Sequence, residues 1–153
     1  MSGTAHTVIY DAVVAALQAA PALADGHVKT TRDTNRRMPE GVTRQLRVFL
    51  DQTRPVVENI GGNAPLYWET RLRVECLARD MLGASPASAF DTATELAAAV
   101  QARLLADAAL AALVADIRPG PMAWAEDEAD TQLTACQVLV DIQHRSAYAT
   151  LLV

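Results

Sequence analysis

The sequence predicts an α+β fold, in which an antiparallel sheet of about four to five strands carries two main helices packed on one face. Apolar residues recur every three to four positions near the N-terminus and again around residue 97, which is the spacing of an amphipathic helix. In three other segments apolar and polar residues alternate, which is typical of half-buried strands. No internal repeat or long linker interrupts the 153 residues, so we predict a single domain over residues 1–153.

The first predicted elements are a helix and two strands. The helix covers residues 4–20 and is stopped by Pro21. A short polar strand is expected at 27–32, and a second strand around 46–50, where apolar and polar residues alternate. The turn-rich, charged segment between them predicts a loop at 32–41.

The middle of the chain contains a loop and the clearest strand. Residues 51–65 have two prolines and a Gly-Gly-Asn turn, and they predict a protruding, hairpin-like loop. The strand after it alternates strictly, and we expect one parity to be buried and the other to form a ladder of mixed charge. The buried parity is Trp68, Thr70, Leu72, Val74 and Cys76, and the charged parity is Glu69, Arg71, Arg73 and Glu75.

Two helices and two strands follow. A helix is predicted from Phe90, with Thr92 and Glu95 as a capping box, and a short helix is predicted after a cap at Asp107. Residues 117–125 contain two prolines, which restricts this segment to an edge or interrupted strand. The alternation over 134–142 predicts a long final strand.

Charge is unevenly distributed along the chain, whose net charge is −5. Residues 26–79 have ten Lys/Arg against six Asp/Glu, whereas residues 80–153 have three against ten. A domain with a basic and an acidic half can bind its own copy head to tail, and a ring results if the rotation closes. Ordinary surface scatter of charge is the alternative. The acidic balance argues against a dedicated nucleic-acid site, and no apolar run reaches the roughly 18 residues of a membrane span.

No residue pattern predicts catalysis, a metal site or a cofactor. Cys76 and Cys136 fall on buried strand parities and are expected to be reduced core residues. His6, His27 and His144 are isolated in the sequence, which favours surface or hydrogen-bonded histidines over metal ligands.

Three charged or aromatic features have both a plain and a functional interpretation. The acidic segment 126–130 lacks calcium-loop spacing, so a solvated turn or a partner-facing patch is expected. Arg36 and Arg37 could contact a phosphate, but a protein-facing or solvated loop is favoured because no aromatic residues are interleaved with them. Trp68 and Trp124 are expected to anchor the core or an interface.

The order of these segments resembles that of a known family. The segments run from an N-terminal helix to a last strand: HTVIYDAVVAALQAA, Leu46–Val48, Trp68–Glu75, Glu95–Leu96, Ala109–Ile117 and Leu139–Gln143. Over about residues 4–146, this layout is similar to that of the tail-terminator (tail-completion) proteins of long-tailed bacteriophages, also found in prophages and gene transfer agents. The resemblance is one of layout and a few apolar positions, without a catalytic signature.

The resemblance implies a structural virion protein. Members form a hexameric ring that caps the head-proximal end of the tail tube, stops tube polymerisation and offers the surface to which the head connector docks. The implied partners are further copies of the chain, the tail tube protein and a head connector or neck protein; no cofactor is implied. The implied location is the tail of the virion, with assembly in the host cytoplasm.

Charge complementarity suggests which residues join the copies. We expect Arg36, Arg37, Arg71 and Arg73 to meet Glu126, Asp127, Glu128 or Asp130 of a neighbour. Pairing across strands within one chain, or solvation, is the alternative for these charges. Two other function classes stay open: another neck or tail component, such as a head-closure or tail-tube protein, and a small-ligand-binding or enzymatic α+β domain.

Overall fold

The computed structural model describes residues 4–56, 66–80, 88–126 and 132–146. Three helices, five strands and a short 3₁₀ turn make up the described part of the chain. In chain order they are α1 (Ala5–Gln18), the 3₁₀ turn (Ala24–Gly26), β1 (Val28–Lys29), β2 (Arg44–Val56), β3 (Leu66–Arg79), α2 (Ala89–Ala106), α3 (Ala108–Leu113), β4 (Asp116–Glu126) and β5 (Leu133–Ser146). The predicted α+β class is confirmed.

The five strands form one sheet in the order β1-β2-β3-β5-β4. All neighbours are antiparallel except β1, which runs parallel to β2 through the pairs Val28–Leu46 and Lys29–Arg47. The expectation of a purely antiparallel sheet is therefore wrong at this edge. A parallel pair needs a crossover of about a dozen residues or more, and residues 30–43 provide it.

The sheet has an inner face, covered by helices α1 and α2, and an outer face that no helix of the described part covers. The side chains of the inner face and of the helices form one apolar cluster. Its sheet members are fully buried: Leu46, Val48, Leu72, Val74, Cys76, Cys136, Val138, Val140 and Ile142. The predicted buried parities of β3 and β5 are thereby confirmed, and these faces form the core because alternate strand residues point to the same side.

Helix caps fix where α2 and α3 begin. The hydroxyl of Ser88 accepts a hydrogen bond from the backbone N–H of Asp91, so α2 starts at Ala89. The predicted capping box at Thr92 and Glu95 is wrong, because both residues lie inside the helix that Ser88 already caps. The cap at Asp107 is confirmed, since its carboxylate accepts from the N–H of Leu110 at 2.7 Å.

Strand β2 is longer than the alternation predicts. Residues 51–56, expected within a protruding loop, continue β2 after a bulge between Leu50 and Gln52; the rest of that predicted loop, 57–65, lies outside the described residues. Strand β1 pairs only with Leu46 and Arg47, so the second half of β2 is itself a sheet edge. An edge tolerates Pro55 and the exposed polar side chains that made this segment resemble a loop.

Strand β4 is an edge strand, as its prolines predict. Its pairing with β5 is interrupted between Pro119 and Met122. Gly120 lies in this interruption so close to β5 that an added Cβ would stand 2.8 Å from the carbonyl oxygen of Leu139. The glycine therefore allows the interrupted half of β4 to stay against the sheet.

Candidate interaction surface

The outer face of the sheet is a ladder of paired charges. The guanidinium of Arg71 donates two hydrogen bonds to Asp141, from Nε at 2.7 Å and from Nη2 at 3.0 Å. These residues are register partners on β3 and β5, so the pair joins neighbouring strands. These hydrogen bonds, aided by the opposite charges, lower the pKa of Asp141 and raise the pKa of Arg71. The sequence-predicted charged parity of β3 is confirmed.

Phe49 lies between two arginines on the same face. The guanidinium of Arg73 is 4.8 Å from the centre of the Phe49 ring, and that of Arg36 is 5.4 Å from it. Arg73 also approaches Glu75 at 3.6 Å and Asp51 at 3.8 Å. Both contacts are longer than a good charge-assisted hydrogen bond, so Arg73 is held mainly by stacking.

The crossover 30–43 wraps from the helical side onto the outer face. At its start Asp33 accepts from the N–H of Thr30 at 2.6 Å, and farther along the carbonyl of Arg36 accepts from the Gln45 amide at 2.8 Å. Met38 then packs against Leu77 and Leu133 in a small apolar cluster beneath the crossover. These anchors hold an open groove of about 820 Å³, lined by the Arg37–Gly41 segment among others.

The opposite edge of the sheet exposes an aromatic pair. The rings of Phe90 and Trp124 lie 6.2 Å apart, and the two residues are 52% and 47% exposed. The indole N–H of Trp124 donates to the hydroxyl of Thr94 on α2 at 3.0 Å, which fixes the ring against the helix. We call Phe90, Thr94 and Trp124 the aromatic patch. An oriented, half-exposed tryptophan is typical of interface anchors.

The predicted interface residues fall into four groups. Arg71 binds Asp141 of β5 and Arg73 approaches Asp51 of β2, which agrees with the alternative of local cross-strand pairing within one chain. Arg36 stacks on Phe49, whereas Arg37 is exposed and its side chain forms no salt bridge within the described ranges. Glu126 is exposed at the end of β4. The other acidic candidates, Asp127, Glu128 and Asp130, lie outside the described residues.

A chain of hydrogen bonds enters the core beneath the N-terminus of α1. It links His6 Nε2 to Thr53 Oγ1 at 2.9 Å, Thr53 Oγ1 to Thr70 Oγ1 at 2.9 Å, and Thr70 Oγ1 to His144 Nε2 at 2.7 Å. We call these four side chains the buried polar chain; His6, Thr70 and His144 are buried, whereas Thr53 lies at the exposed sheet edge. Trp68 borders it, its ring centre 5.5 Å from that of His6. Sequence reasoning missed this group because its members are up to 138 positions apart.

The buried polar chain requires neutral imidazoles. His144 is 1% exposed, and its Nδ1 has no hydrogen-bond partner among the described residues. An unpaired lone pair costs less than an unpaired N–H, which favours the tautomer in which Nε2–H of His144 donates to Thr70. Burial, aided by the neighbouring His6, lowers the pKa of His144 to about 4, and burial also lowers that of His6. Both rings are therefore uncharged near neutral pH.

The two cysteines are core residues, as predicted. Cys76 and Cys136 are register partners on β3 and β5, both fully buried and both free thiols. Burial raises the pKa of each thiol, so neither provides a thiolate near neutral pH.

The described residues also bear on metal binding and membrane insertion. Within residues 4–56, 66–80, 88–126 and 132–146, no three His, Cys, Asp or Glu side chains are grouped as they would be around a metal ion. Among the helices that the structure describes, none is both long and apolar enough to cross a membrane.

The comparisons with protein families and with curated proteins are negative. No protein-family model matches the chain, and no curated protein is significantly similar to it. The order of elements and the interaction surface are therefore the observations that bear on function.

Proposed function

We propose that this chain is a tail-terminator protein: the subunit of a ring that caps the head-proximal end of a phage tail tube, stops tube polymerisation and receives the head connector. The activity is structural, without catalysis or cofactor. Its partners are further copies of the chain, the tail tube protein and a connector or neck protein.

The element order supports this proposal. The described chain runs from helix α1 through the long strands β2 and β3 to helices α2 and α3, and ends with β4 and β5. This order is the layout on which the resemblance to tail terminators rests. Strand β3 and the last strand, which contain the quoted segments Trp68–Glu75 and Leu139–Gln143, are neighbours in the sheet.

The observation that carries the proposal is the opposite charge of two regions of the chain, each of which includes one edge strand of the sheet. Residues 27–44, which include edge strand β1 and the crossover, have five Lys/Arg against two Asp/Glu. Residues 88–126, which include edge strand β4, have two Lys/Arg against five Asp/Glu. Complementary charge on two separate regions of one subunit favours head-to-tail contacts, which form a ring if the rotation closes.

Tube assembly in the presence of the chain tests the proposal. Tail tube subunits from the same phage or prophage are polymerised with and without the purified chain, and tube length and end structure are measured in negative-stain images. We expect shorter tubes, each with one ring-shaped density at a single end.

Three outcomes would contradict the proposal. Unchanged tube length with bare ends would exclude a terminator. Binding along the whole tube, or polymerisation of the chain into tubes, would indicate a tail-tube protein. Binding to the connector alone would indicate a head-closure protein.

A further inference from the structure

We infer that the aromatic patch and the outer edge of β4 are the surface on which the next copy of this chain docks its basic segment, residues 27–44. The inference rests on the proposed ring and adds which surface of one subunit meets which surface of its neighbour. Arg37 of one copy and Glu126 of the next form the charged part of the contact, and Trp124 forms its apolar centre.

The aromatic patch is built as a fixed docking surface. Trp124 is held by its hydrogen bond to Thr94 and by the Phe90 ring, yet about half of its surface stays exposed. A side chain whose position is already fixed loses little conformational entropy when a partner covers it. Tryptophan in this state commonly contributes a large share of binding energy at interfaces.

The outer edge of β4 is the second part of the docking surface. Strand β4 ends the sheet, so in the described part of the chain no strand pairs with its outer side. Pro119 and Pro121 remove donors from the first half of the strand, whereas Met122–Glu126 retains all its backbone N–H groups. An unpaired edge of this kind accepts an extended segment of another chain.

The charges near the β4 edge indicate which segment of a second copy binds there. Glu126 is exposed beside Trp124, without a salt bridge to any residue in the described ranges. In the basic segment, Arg37 and Lys29 are likewise without a salt bridge in the described ranges, while Arg32 and Arg44 bind Asp11 and Asp25. The unpaired cations thus complement the unpaired acid, which favours the basic segment of a second copy as the partner.

The position of the two surfaces determines the symmetry of the contact. Strands β1 and β4 lie at opposite edges of the five-stranded sheet, about 19 Å apart at the usual strand spacing, whereas Arg37 lies nearer the middle of the sheet, because the adjacent Met38 packs against Leu77 of β3 and Leu133 of β5. Within one copy Arg37 and Glu126 form no salt bridge in the described ranges, so each copy offers one surface to each of two neighbours. Two β4 edges facing each other would place acid against acid, which disfavours a twofold dimer.

Two matched pairs of variants test the inference, with the mass of the assembly measured by light scattering across concentration. Trp124→Ala is compared with Tyr67→Ala, because Tyr67 is also an exposed aromatic on a strand, at 41%. We expect Trp124→Ala to raise the concentration needed for assembly about tenfold or more, and Tyr67→Ala to change it less than about twofold. Circular dichroism of each variant shows that folding is retained.

The charged pair is tested by reversal and mixing. Glu126→Lys and Arg37→Glu should each prevent assembly alone, because each places like charges together at every contact. Mixed in equal amounts they should assemble again, since every contact in an alternating ring then joins opposite charges. The result of this mixing experiment does not depend on how well the Trp124 variant folds.

The outcomes separate the inference from the proposed function. If the wild-type chain forms rings that Trp124→Ala and the single charge variants leave intact, the inference is overturned while the ring proposal stands. If the wild-type chain forms no ring, both fail. If the mixed charge variants stop at a mass of two chains, the contact is twofold and the head-to-tail assignment is wrong.

Discussion

The two faces of the sheet both contain polar side chains but accommodate them in different ways. On the inner face the buried polar chain consists of neutral hydroxyls and imidazoles that bond to one another. On the outer face, charged pairs such as Arg71–Asp141 remain partly solvated. Burying a charge costs several kcal/mol, whereas a hydrogen-bonded neutral group costs little, so the helices lie over the face without charges. The open face keeps its charges because water still reaches them.

The largest difference in stability between the two faces is expected when one leucine on each face is replaced by alanine. Leu72 is fully buried on the inner face, and Leu139 on the neighbouring strand is half-buried on the outer face. We expect Leu72→Ala to lower the free energy of unfolding by about 3 kcal/mol, through lost burial and the cavity left behind, and Leu139→Ala by about 1 kcal/mol or less. Urea denaturation measures both, and equal losses would show that the outer face is packed as tightly as the core.

Acid should destabilise the inner face through His144. The pKa of this imidazole is about 4 in the folded chain, below its ordinary value of 6.5, so the unfolded chain binds a proton first as the pH falls. Its contribution to stability is complete above about pH 6.5 and is lost between pH 6.5 and 4, amounting to about 3 kcal/mol at most.

Unfolding free energies measured across this pH range check the expectation. His144→Gln should flatten the profile, whereas His27→Gln serves as the control because His27 is exposed. A profile that stays equally steep after His144→Gln would assign the acid sensitivity to other groups.

Thr70→Val tests the buried polar chain at its centre. Valine matches the shape of threonine but removes the hydroxyl that lies between Thr53 and His144. The loss leaves the Nε2 of His144 without its partner and should cost about 1–3 kcal/mol in unfolding free energy. Thr92→Val, at a half-buried position of helix α2, is the control in the same urea titration. A loss no greater than that of the control would mean that the chain of hydrogen bonds adds nothing to stability.

The smallest effect is expected on the outer face, at Arg71 and Asp141. Asp141→Asn removes one charge from a partly solvated pair, so its effect on stability should be smaller than that of Thr70→Val. The difference between wild type and variant should shrink in high salt, because salt screens exposed charges. A larger effect that salt does not change would contradict the solvated character of this face.

Local patterns in the sequence were sufficient to predict much of the fold. Alternation in β3 and β5 identified which side chains are buried, because the two faces of a strand differ at every second residue. The second half of β2 escaped prediction because an edge strand keeps no buried parity there, and Pro55 is typical of a loop. The parallel pairing of β1 depends on contacts formed across the crossover, which no local pattern encodes.

The candidate site was predicted less completely than the fold. The strong alternation of β3 identified its charged parity, but it did not predict that Arg71 binds Asp141 of the same chain. His6 and His144 looked isolated because their contact is made only when helix α1 packs across the ends of β3 and β5. The aromatic patch likewise joins a helix to a strand 34 positions later, from Phe90 to Trp124. Side-chain partners that are distant in sequence follow from tertiary packing.

The mass of the wild-type chain in solution, measured by light scattering over a range of concentration and salt, tests most directly whether the basic segment of each copy binds the β4 edge of the next. The account predicts that the chain assembles at low salt into a closed ring with the mass of about six chains, and that salt dissociates this ring because its contacts include unlike charges. A monomer at every concentration, or a compact dimer that salt leaves unchanged, would contradict it.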